Sequence, residues 1–209
     1  MNVAITPLSW KKKDWTGTPM SMFRMMGASN HCETHERETH DFYATDPAAV
    51  EQICDLVPFS HDVWEPACGT GHIAEVLRKR GHAVRATDLI DRNYGIGGVD
   101  FLSQIEPWHG DIITNPPYRY ATEFVWKALD LTQDGAKVAM LLKLTFLEGK
   151  KRQALFRAYP PKQVYVAACR VRCALNGDFS AVDRGSAMCF AWFVWEKGYT
   201  GDPSIKWFN

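Results

Sequence analysis

Between residues 46 and 196, short apolar segments alternate with amphipathic ones, and this alternation limits the fold more than any other feature of the sequence. Asp46 and Pro47 are typical of a helix start, and apolar residues recur at Val50, Ile53 and Val57. Strands that alternate with helices favour a parallel, doubly wound α/β sheet. The predicted strands are DVWEPA, AVRATDL, GDIITN, AKVAMLLKL and QVYVAAC, and the predicted helices between them are GHIAEVLRKRG, ATEFVWKALDLT and GKKRQALFRAY.

The two ends of the chain depart from this alternation. The last apolar segment, AMCFAWFVW, is separated from QVYVAAC by a long loop rather than a helix, so we expect an antiparallel strand added to the sheet. The first 40 residues lack sustained periodicity. We therefore predict an irregular N-terminal arm at residues 1–40 and one α/β domain at residues 41–209.

The composition is typical of a globular protein without a membrane span. No apolar run approaches the ~18–20 residues that cross a bilayer, and Lys11, Lys12 and Lys13 precede no apolar signal segment, so we expect a cytoplasmic protein. Six cysteines without a secretory signal favour free thiols over a disulfide framework. The 24 basic and 24 acidic residues neither indicate nor exclude nucleic acid, because a local basic surface is sufficient for phosphate contact.

A glycine-containing turn, EPACGTGH, connects the first predicted strand to the next helix. Gly69 and Gly71 allow a tight turn and let a ligand approach backbone amides at the positive end of a helix. Asp88 ends the next strand, 17 residues after Gly71, where nucleotide-binding folds place an acid that accepts hydrogen bonds from ribose hydroxyls. Ala74 takes the place of a third glycine, so a ligand with one adenosine and a small zwitterionic tail fits better than a dinucleotide.

Two further positions suit an adenine ring. Asp100 follows the glycine-rich loop after AVRATDL and can accept a hydrogen bond from an adenine amino group. Phe101 or Ile90 would then pack on the adenine ring. The alternative for this whole region is a glycine turn that serves packing alone, and it stays open at this point.

The segment IITNPPY ends a predicted strand with two prolines, which remove two backbone donors. Ligands of doubly wound sheets bind beyond the carboxyl ends of the strands, and Asn115 leaves its strand at that edge. Because Pro116 and Pro117 restrict the backbone, the Asn115 side-chain carbonyl and a nearby main-chain carbonyl can together accept both hydrogens of an exocyclic amine. Tyr118 then offers a face for a flipped-out base. The alternative is an Asx-Pro turn with a surface tyrosine.

These motifs, in this order, resemble those of a known enzyme family. EPACGTGHIA, TDL, DF and NPPY are similar to the S-adenosylmethionine-dependent methyltransferases that act on the N6 amine of DNA adenine, particularly the short phage and prophage enzymes. The resemblance spans roughly residues 40 to 196 and includes FLEG and AWFVW. It implies a Rossmann-like class I methyltransferase fold, S-adenosylmethionine as cofactor, double-stranded DNA as substrate, site-specific or relaxed recognition, and a bacterial or phage-infected cell.

The resemblance also assigns roles to individual residues. Catalysis is assigned to Asn115, Pro116, Pro117 and Tyr118 at the target amine. An aromatic-x-Thr-Pro segment of the family packs on the methionine part of the cofactor; FYATDP is similar to it, with one extra aspartate before the proline. Larger members carry a separate target-recognition domain, for which this chain has no room, so we expect a single catalytic domain. The implied cofactor-binding residues are Tyr43, Thr45, Glu65, Ala67, Gly69, Gly71, Asp88, Leu89, Asp100, Phe101 and Asn115.

Basic residues near the expected active-site edge are candidate contacts for nucleic acid. The loop between the last two strands carries Arg170, Arg172 and Arg184. The segment KLTFLEGKKR follows another strand and presents Lys143 and Phe146. The alternative for both segments is ordinary solvated loop charge.

A zinc site in the N-terminal arm is the weaker interpretation of NHCETHERETH, which contains His31, Cys32, His35 and His40. The Cys-x₂-His spacing suits zinc, but no matched second pair of ligands follows, and short loops rich in His and Glu are usually solvated. We therefore expect no metal, and the sequence carries no signal for an oligomeric state.

Other functions use the same motifs and remain open. The same corner serves methylation of a glutamine amide in a protein or of an amino group in RNA, although those families usually carry extra recognition domains. A cytosine N4 enzyme more often has serine before the two prolines. The non-enzymatic alternative is a module that binds nucleic acid without catalysing a reaction. The sequence retains Asn115, Tyr118 and Asp88, which favours an enzyme.

Overall fold

The computed structural model describes residues 43–169, 171, 173–175 and 188–209. The predicted arm at residues 1–40, its His/Cys cluster, and the candidate contacts Arg170, Arg172 and Arg184 lie outside these residues. The α-helices are α1 Pro47–Leu56, α2 His72–Lys79, α3 Ala121–Leu131 and α4 Gln153–Ala158. The strands are β1 Tyr43–Thr45, β2 Asp62–Glu65, β3 Ala83–Ala86, β4 Asp111–Thr114, β5 Lys137–Lys143, β6 Gln163–Ala167, β7 Cys173–Leu175, β8 Phe190–Glu196 and β9 Ser204–Phe208.

The main sheet has seven strands in the order β3-β2-β4-β5-β8-β6-β9. Neighbouring strands are parallel, except that β8 runs antiparallel to both β5 and β6. This confirms the predicted α/β sheet with its antiparallel strand. The structure adds β9, which pairs with β6 at the edge of the sheet. Four of its five residues are exposed, so SIKWF lacks the buried pattern from which strands are predicted.

The central strand β5 is buried along its whole interior. Val138, Met140 and Leu142 pack in the same core as α3, whereas Ala139 and Leu141 pack on the opposite face with α1 and α2. Helices therefore cover both faces of the sheet, and for that reason β5 is an uninterrupted apolar run rather than an alternating one. Within the described chain, no helix combines the length and apolarity needed to cross a bilayer.

A separate two-stranded sheet was not predicted from the sequence. β1 pairs antiparallel with β7, and Thr45 lies opposite Cys173. Segments of three residues are too short to show a periodic pattern, so only the tertiary structure reveals them. Two residues of β1, Tyr43 and Thr45, form hydrogen bonds with the side chain of Asn115.

Candidate active site

Two turns leave neighbouring strands at the same edge of the main sheet. β2 and β4 are paired in parallel, with Trp64 opposite Ile112. The glycine-containing turn follows β2, which ends at Glu65. The Asn-Pro-Pro-Tyr turn begins at Asn115, directly after β4. Because the carboxyl ends of parallel strands share an edge, the two motifs lie beside each other, where ligands of such sheets bind.

The Asn115 side chain is held by its amide nitrogen and leaves its oxygen without a partner. Nδ2 donates to the Tyr43 carbonyl at 2.9 Å and to the Thr45 hydroxyl at 3.1 Å. A main-chain carbonyl can only accept, so these contacts determine which end of the amide is the nitrogen. Oδ1 is buried and has no hydrogen-bond partner among the described residues. Leaving a buried acceptor unpaired costs about 1–3 kcal/mol, so a ligand that donates to this atom is stabilised there.

Tyr118, the last residue of the Asn-Pro-Pro-Tyr turn, lies in a group of aromatic rings. Its ring is stacked on Tyr43 with centroids 6.1 Å apart, and the Phe190 ring lies 5.8 Å away on β8. The Lys143 ammonium, at the end of β5, is 4.9 Å from the Tyr118 centroid. Lys143, a predicted nucleic-acid contact, is therefore adjacent to the predicted base platform.

Glu65 places a second unpaired oxygen at the same edge. The side chain is buried, and its Oε2 has no hydrogen-bond partner in the described chain. Burial raises the pKa of the Glu65 carboxyl well above its ordinary value, although the Ala74 backbone N–H opposes the shift. A cationic group bound beside Oε2 would favour the charged carboxylate again.

Asp88 connects the glycine turn to the end of β3. Its carboxylate accepts the Gly69 N–H at 2.8 Å and the Ile90 N–H at 2.9 Å. Gly69 and Gly71 have φ values of +55° and +90°, a region that side chains rarely adopt. Each carboxylate oxygen can accept further bonds, so Asp88 retains capacity for a ribose hydroxyl. Ala67 is half-buried on the same turn, and Leu89 is 58% exposed beside Asp88.

Tyr94 belongs to this region and was not predicted. A Cβ added at Gly71 would overlap the Tyr94 ring, so glycine is required there for space as well as for backbone conformation. The Tyr94 hydroxyl donates to Glu75 at 2.7 Å and accepts a hydrogen bond from Arg78. The available signal was DRNYGIGG, a loop whose glycines permit the chain to fold back over the first turn.

The structure corrects the expected role of the Phe101 side chain. Phe101 is 2% exposed, and its ring packs in the core against Trp64 and Phe124 with centroid distances of 5.2 and 5.0 Å. The ring therefore does not pack on an adenine, and Ile90 is left as the candidate for that contact. Asp100 caps the following 3₁₀ turn, accepting from the Leu102 N–H at 3.0 Å.

Phe146 is a second correction. Its side chain is 6% exposed and makes edge contacts with Phe156 and Phe193, so its ring is not available to nucleic acid. An aromatic residue in a polar segment after a strand was interpreted as a contact residue, whereas here it anchors that segment to the core.

The thiols near the two turns are not nucleophiles at neutral pH. Burial raises the pKa of Cys68 to about 12, with the charges of Glu65 and Asp88 adding to the effect. Burial likewise raises the pKa of Cys173 to about 11. Both thiols therefore keep their protons. Over the residues that the structure describes, no three His, Cys, Asp or Glu side chains are grouped as metal ligands would be.

The sequence matches no protein-family model and no curated protein. Solved structures are similar in fold at low sequence identity. A candidate class I S-adenosylmethionine-dependent methyltransferase from Listeria monocytogenes is 11% identical, over 90% of this chain and 69% of that chain, with a TM-score of 0.56. A candidate RNA methyltransferase from Pyrococcus horikoshii is 11% identical over 87% of this chain and 98% of that chain, with a TM-score of 0.57.

A modification subunit of a candidate type I restriction enzyme from Vibrio vulnificus YJ016 is also 11% identical. The alignment covers 90% of this chain and 50% of that chain, with a TM-score of 0.56. Together with the strand order, these likenesses show that the chain has the Rossmann-like class I methyltransferase fold.

Proposed function

We propose that this protein transfers a methyl group from S-adenosylmethionine to the exocyclic N6 amine of adenine in DNA. The observation that carries the proposal is the buried, unpaired Asn115 Oδ1 on a side chain whose amide hydrogens are already bound by Tyr43 and Thr45. An exocyclic amine supplies the N–H donors that this atom lacks. The family resemblance of the motifs supports the same substrate, and the fold is shared with a modification subunit of a candidate type I restriction enzyme.

The polar groups around the glycine turn fit S-adenosylmethionine. Glu65 Oε2 is an unpaired acceptor for the ammonium group of the methionine part, and Asp88 has capacity for the ribose hydroxyls. Bound there, the cofactor supplies a methyl carbon on a positively charged sulfur, which is already an activated electrophile. The protein therefore needs alignment and exclusion of water rather than a strong nucleophile, in agreement with the protonated Cys68.

The chain's own residues then act on the acceptor amine. Asn115 Oδ1, together with a neighbouring main-chain carbonyl, accepts the N–H bonds of the amine and directs its lone pair toward the methyl carbon. Asn115 is too weak a base to remove a proton first, so the proton leaves during or after transfer. Tyr118 supports the base by stacking.

Thr45 positions Asn115 in this arrangement. Its hydroxyl is buried and accepts one amide hydrogen of Asn115, while the Tyr43 carbonyl accepts the other. Both bonds orient Oδ1 toward the substrate side. The structure thus gives the Thr45 hydroxyl a partner other than the cofactor implied by the family resemblance.

The test is to incubate the protein with labelled S-adenosylmethionine and, separately, DNA, RNA and protein, and to identify the methylated product after digestion. We expect N6-methyladenine from DNA. Label in RNA or in glutamine, with none in DNA, would replace the proposed substrate. A protein that neither binds the cofactor nor transfers a methyl group would be an idle binding module, and the proposal would be wrong.

A further inference from the structure

Exposed basic residues follow β5, the strand that lies beside β4 in the sheet. We infer that Lys150, Lys151 and Arg157, here called the phosphate surface, bind the backbone phosphates of the DNA substrate. This inference rests on the proposed function, because it specifies what holds the DNA while one of its bases lies at Asn115.

The chain segment that leads to the phosphate surface begins at the edge of the sheet that carries the two turns. β5 is paired in parallel with β4, so its carboxyl end lies beside the end from which Asn115 departs. Lys143 is the last residue of β5, and its ammonium is 4.9 Å from the Tyr118 ring centroid. Residues 144–152 follow directly. A duplex with one base on Tyr118 therefore passes close to this segment.

Arg152 organises the segment from within. Its Nε donates to the Phe146 carbonyl at 2.8 Å, and its Nη2 donates to the carbonyls of Thr145, at 3.1 Å, and of Glu148. The guanidinium also lies 4.9 Å from the centroid of the buried Phe146 ring. Arg152 is thus occupied in holding the backbone, and we exclude it from the phosphate surface. The lysines beside it are presented on a segment that is already ordered.

The three residues of the phosphate surface are exposed cations without acidic partners. Lys150 and Arg157 line an open cavity of about 430 Å³, together with Leu147, Gly149, Gln153 and Phe156. Neither they nor Lys151 form an ion pair with any residue that the structure describes. Glu148 is the only acid in the sequence between residues 143 and 157. A row of phosphates would supply the missing negative charge.

A second basic cluster, at the end of α2, shows the contrast. Arg80 pairs with Glu51 at 2.7 Å and with Asp55 at 2.6 Å, and Arg78 pairs with Glu75 at 3.2 Å. The chain neutralises its arginines there, whereas the phosphate surface is left for an external partner. Under the proposed function the substrate is polyanionic DNA, whose charge is opposite to that of these exposed cations on the segment after β5.

The experiment measures binding of a fluorescently labelled DNA duplex by anisotropy over a series of salt concentrations. The variants are Lys150→Gln, Lys151→Gln, Arg157→Gln and the triple substitution. The matched control is Lys79→Gln, which removes one exposed charge at the end of α2. Since α2 leads from the end of β2 to the start of the parallel strand β3, Lys79 lies at the opposite edge of the sheet.

Each substitution in the phosphate surface is expected to reduce the slope of log K against log salt by about 0.9, and the triple substitution by close to three times as much. Lys79→Gln should leave the slope unchanged. Thermal unfolding and cofactor binding, measured on every variant, verify that the fold is intact. The preferred DNA sequence should not change, because phosphate contacts carry no base information.

The possible failures are distinguishable. If the folded triple variant binds DNA with the wild-type affinity and slope, the phosphate surface is wrong, while N6-methyladenine production would still uphold the proposed function. If the wild type binds DNA through these residues but methylates no adenine, the surface stands and the proposed function falls. Tighter, residue-dependent binding of RNA than of DNA would overturn the choice of partner.

Discussion

The glycine turn and the Asn-Pro-Pro-Tyr turn, which leave β2 and β4 at the same edge of the sheet, differ in how their polar groups are hydrogen-bonded. At the glycine turn, the backbone amide of Gly69 is bound by the Asp88 carboxylate, which also accepts the Ile90 N–H. At the Asn-Pro-Pro-Tyr turn, Asn115 Oδ1 is buried without a partner among the described residues, and so is Oγ1 of Thr114 at the end of β4. Both turns are held by hydrogen bonds within the chain, but the second also leaves a buried acceptor for a ligand.

Under the proposed function, this difference corresponds to two roles: the glycine turn binds the cofactor, and the Asn-Pro-Pro-Tyr turn binds the amine that is methylated. A turn whose amides are already bound keeps its conformation before any ligand arrives, as a cofactor cradle requires. Buried unpaired acceptors are uncommon in folded proteins, so they indicate where a substrate completes the hydrogen bonding. Glu65 Oε2 is the exception at the glycine turn, and under the proposed function it accepts hydrogen bonds from the ammonium group of the cofactor.

Asn115→Ala should have the largest effect, because it removes the unpaired acceptor from the Asn-Pro-Pro-Tyr turn. We expect methyl transfer to fall by about 10²–10³-fold, the loss typical of removing one preorganised hydrogen-bonding group. Cofactor affinity should fall much less than transfer, because Glu65 and Asp88 are untouched and only the cofactor contact that the family resemblance implies for Asn115 is lost. Single-turnover transfer and calorimetry measure the two quantities. A parallel loss of both would contradict the assignment of Oδ1 to the target amine.

Glu65→Gln tests the exception on the cofactor side. A neutral amide cannot balance an ammonium charge, so we expect cofactor affinity to fall by about 10–100-fold. Transfer at saturating cofactor should change much less than affinity. Calorimetric titration with S-adenosylmethionine decides the matter, and wild-type affinity in this variant would remove Glu65 from the cofactor site.

The same substitution predicts a change in how stability depends on pH. Burial raises the pKa of Glu65 well above its ordinary value of 4.5. Between the ordinary and the raised pKa, the folded protein keeps the Glu65 proton that the unfolded chain has lost. The free energy of unfolding therefore decreases as the pH rises through this range. Glu65→Gln should abolish this contribution. Thermal unfolding without cofactor at about pH 5 and about pH 8 measures it; equal declines in both proteins would refute it.

Thr45→Val removes only the hydroxyl that holds the Asn115 side chain and leaves Oδ1 in place. We expect kcat to fall by about 5–10-fold, the value of one net hydrogen bond, with KM and cofactor affinity nearly unchanged. Thr45→Ser should restore the rate because it restores the acceptor. The NMR signals of the Asn115 side-chain amide should shift in the valine variant even without substrate. Weaker cofactor binding with an unchanged kcat would return Thr45 to the cofactor site.

Tyr94→Phe should have the smallest effect. It keeps the ring that packs on Gly71 and removes only the hydroxyl shared by Glu75 and Arg78, both largely exposed. We expect cofactor affinity to change by less than about threefold, as is usual for exposed polar pairs. Tyr94→Ala, which removes the ring, is the comparison variant and should weaken cofactor binding more. Equal effects of both would show that the hydroxyl, not the ring, supports the turn.

Most of the architecture was predictable because its signals are local. Each central strand and helix carries its own periodic pattern, and parallel strands place their carboxyl ends at one edge whatever lies between them. The order EPACGTG, Asp88, NPPY was therefore enough to bring the two turns together. β1, β7 and β9 were missed because three-residue or exposed strands have no such pattern.

Which polar atoms have hydrogen-bond partners depends on contacts between segments that are far apart in the sequence. The bond from Asn115 to the Tyr43 carbonyl joins residues 72 positions apart, and no local pattern specifies it. Phe101 and Phe146 point into the core because neighbouring elements leave room for them there. Residue types and periodicity thus determined the fold and the place of the site. Packing between distant segments determined the orientation of its side chains, because that orientation depends on neighbours contributed by other parts of the chain.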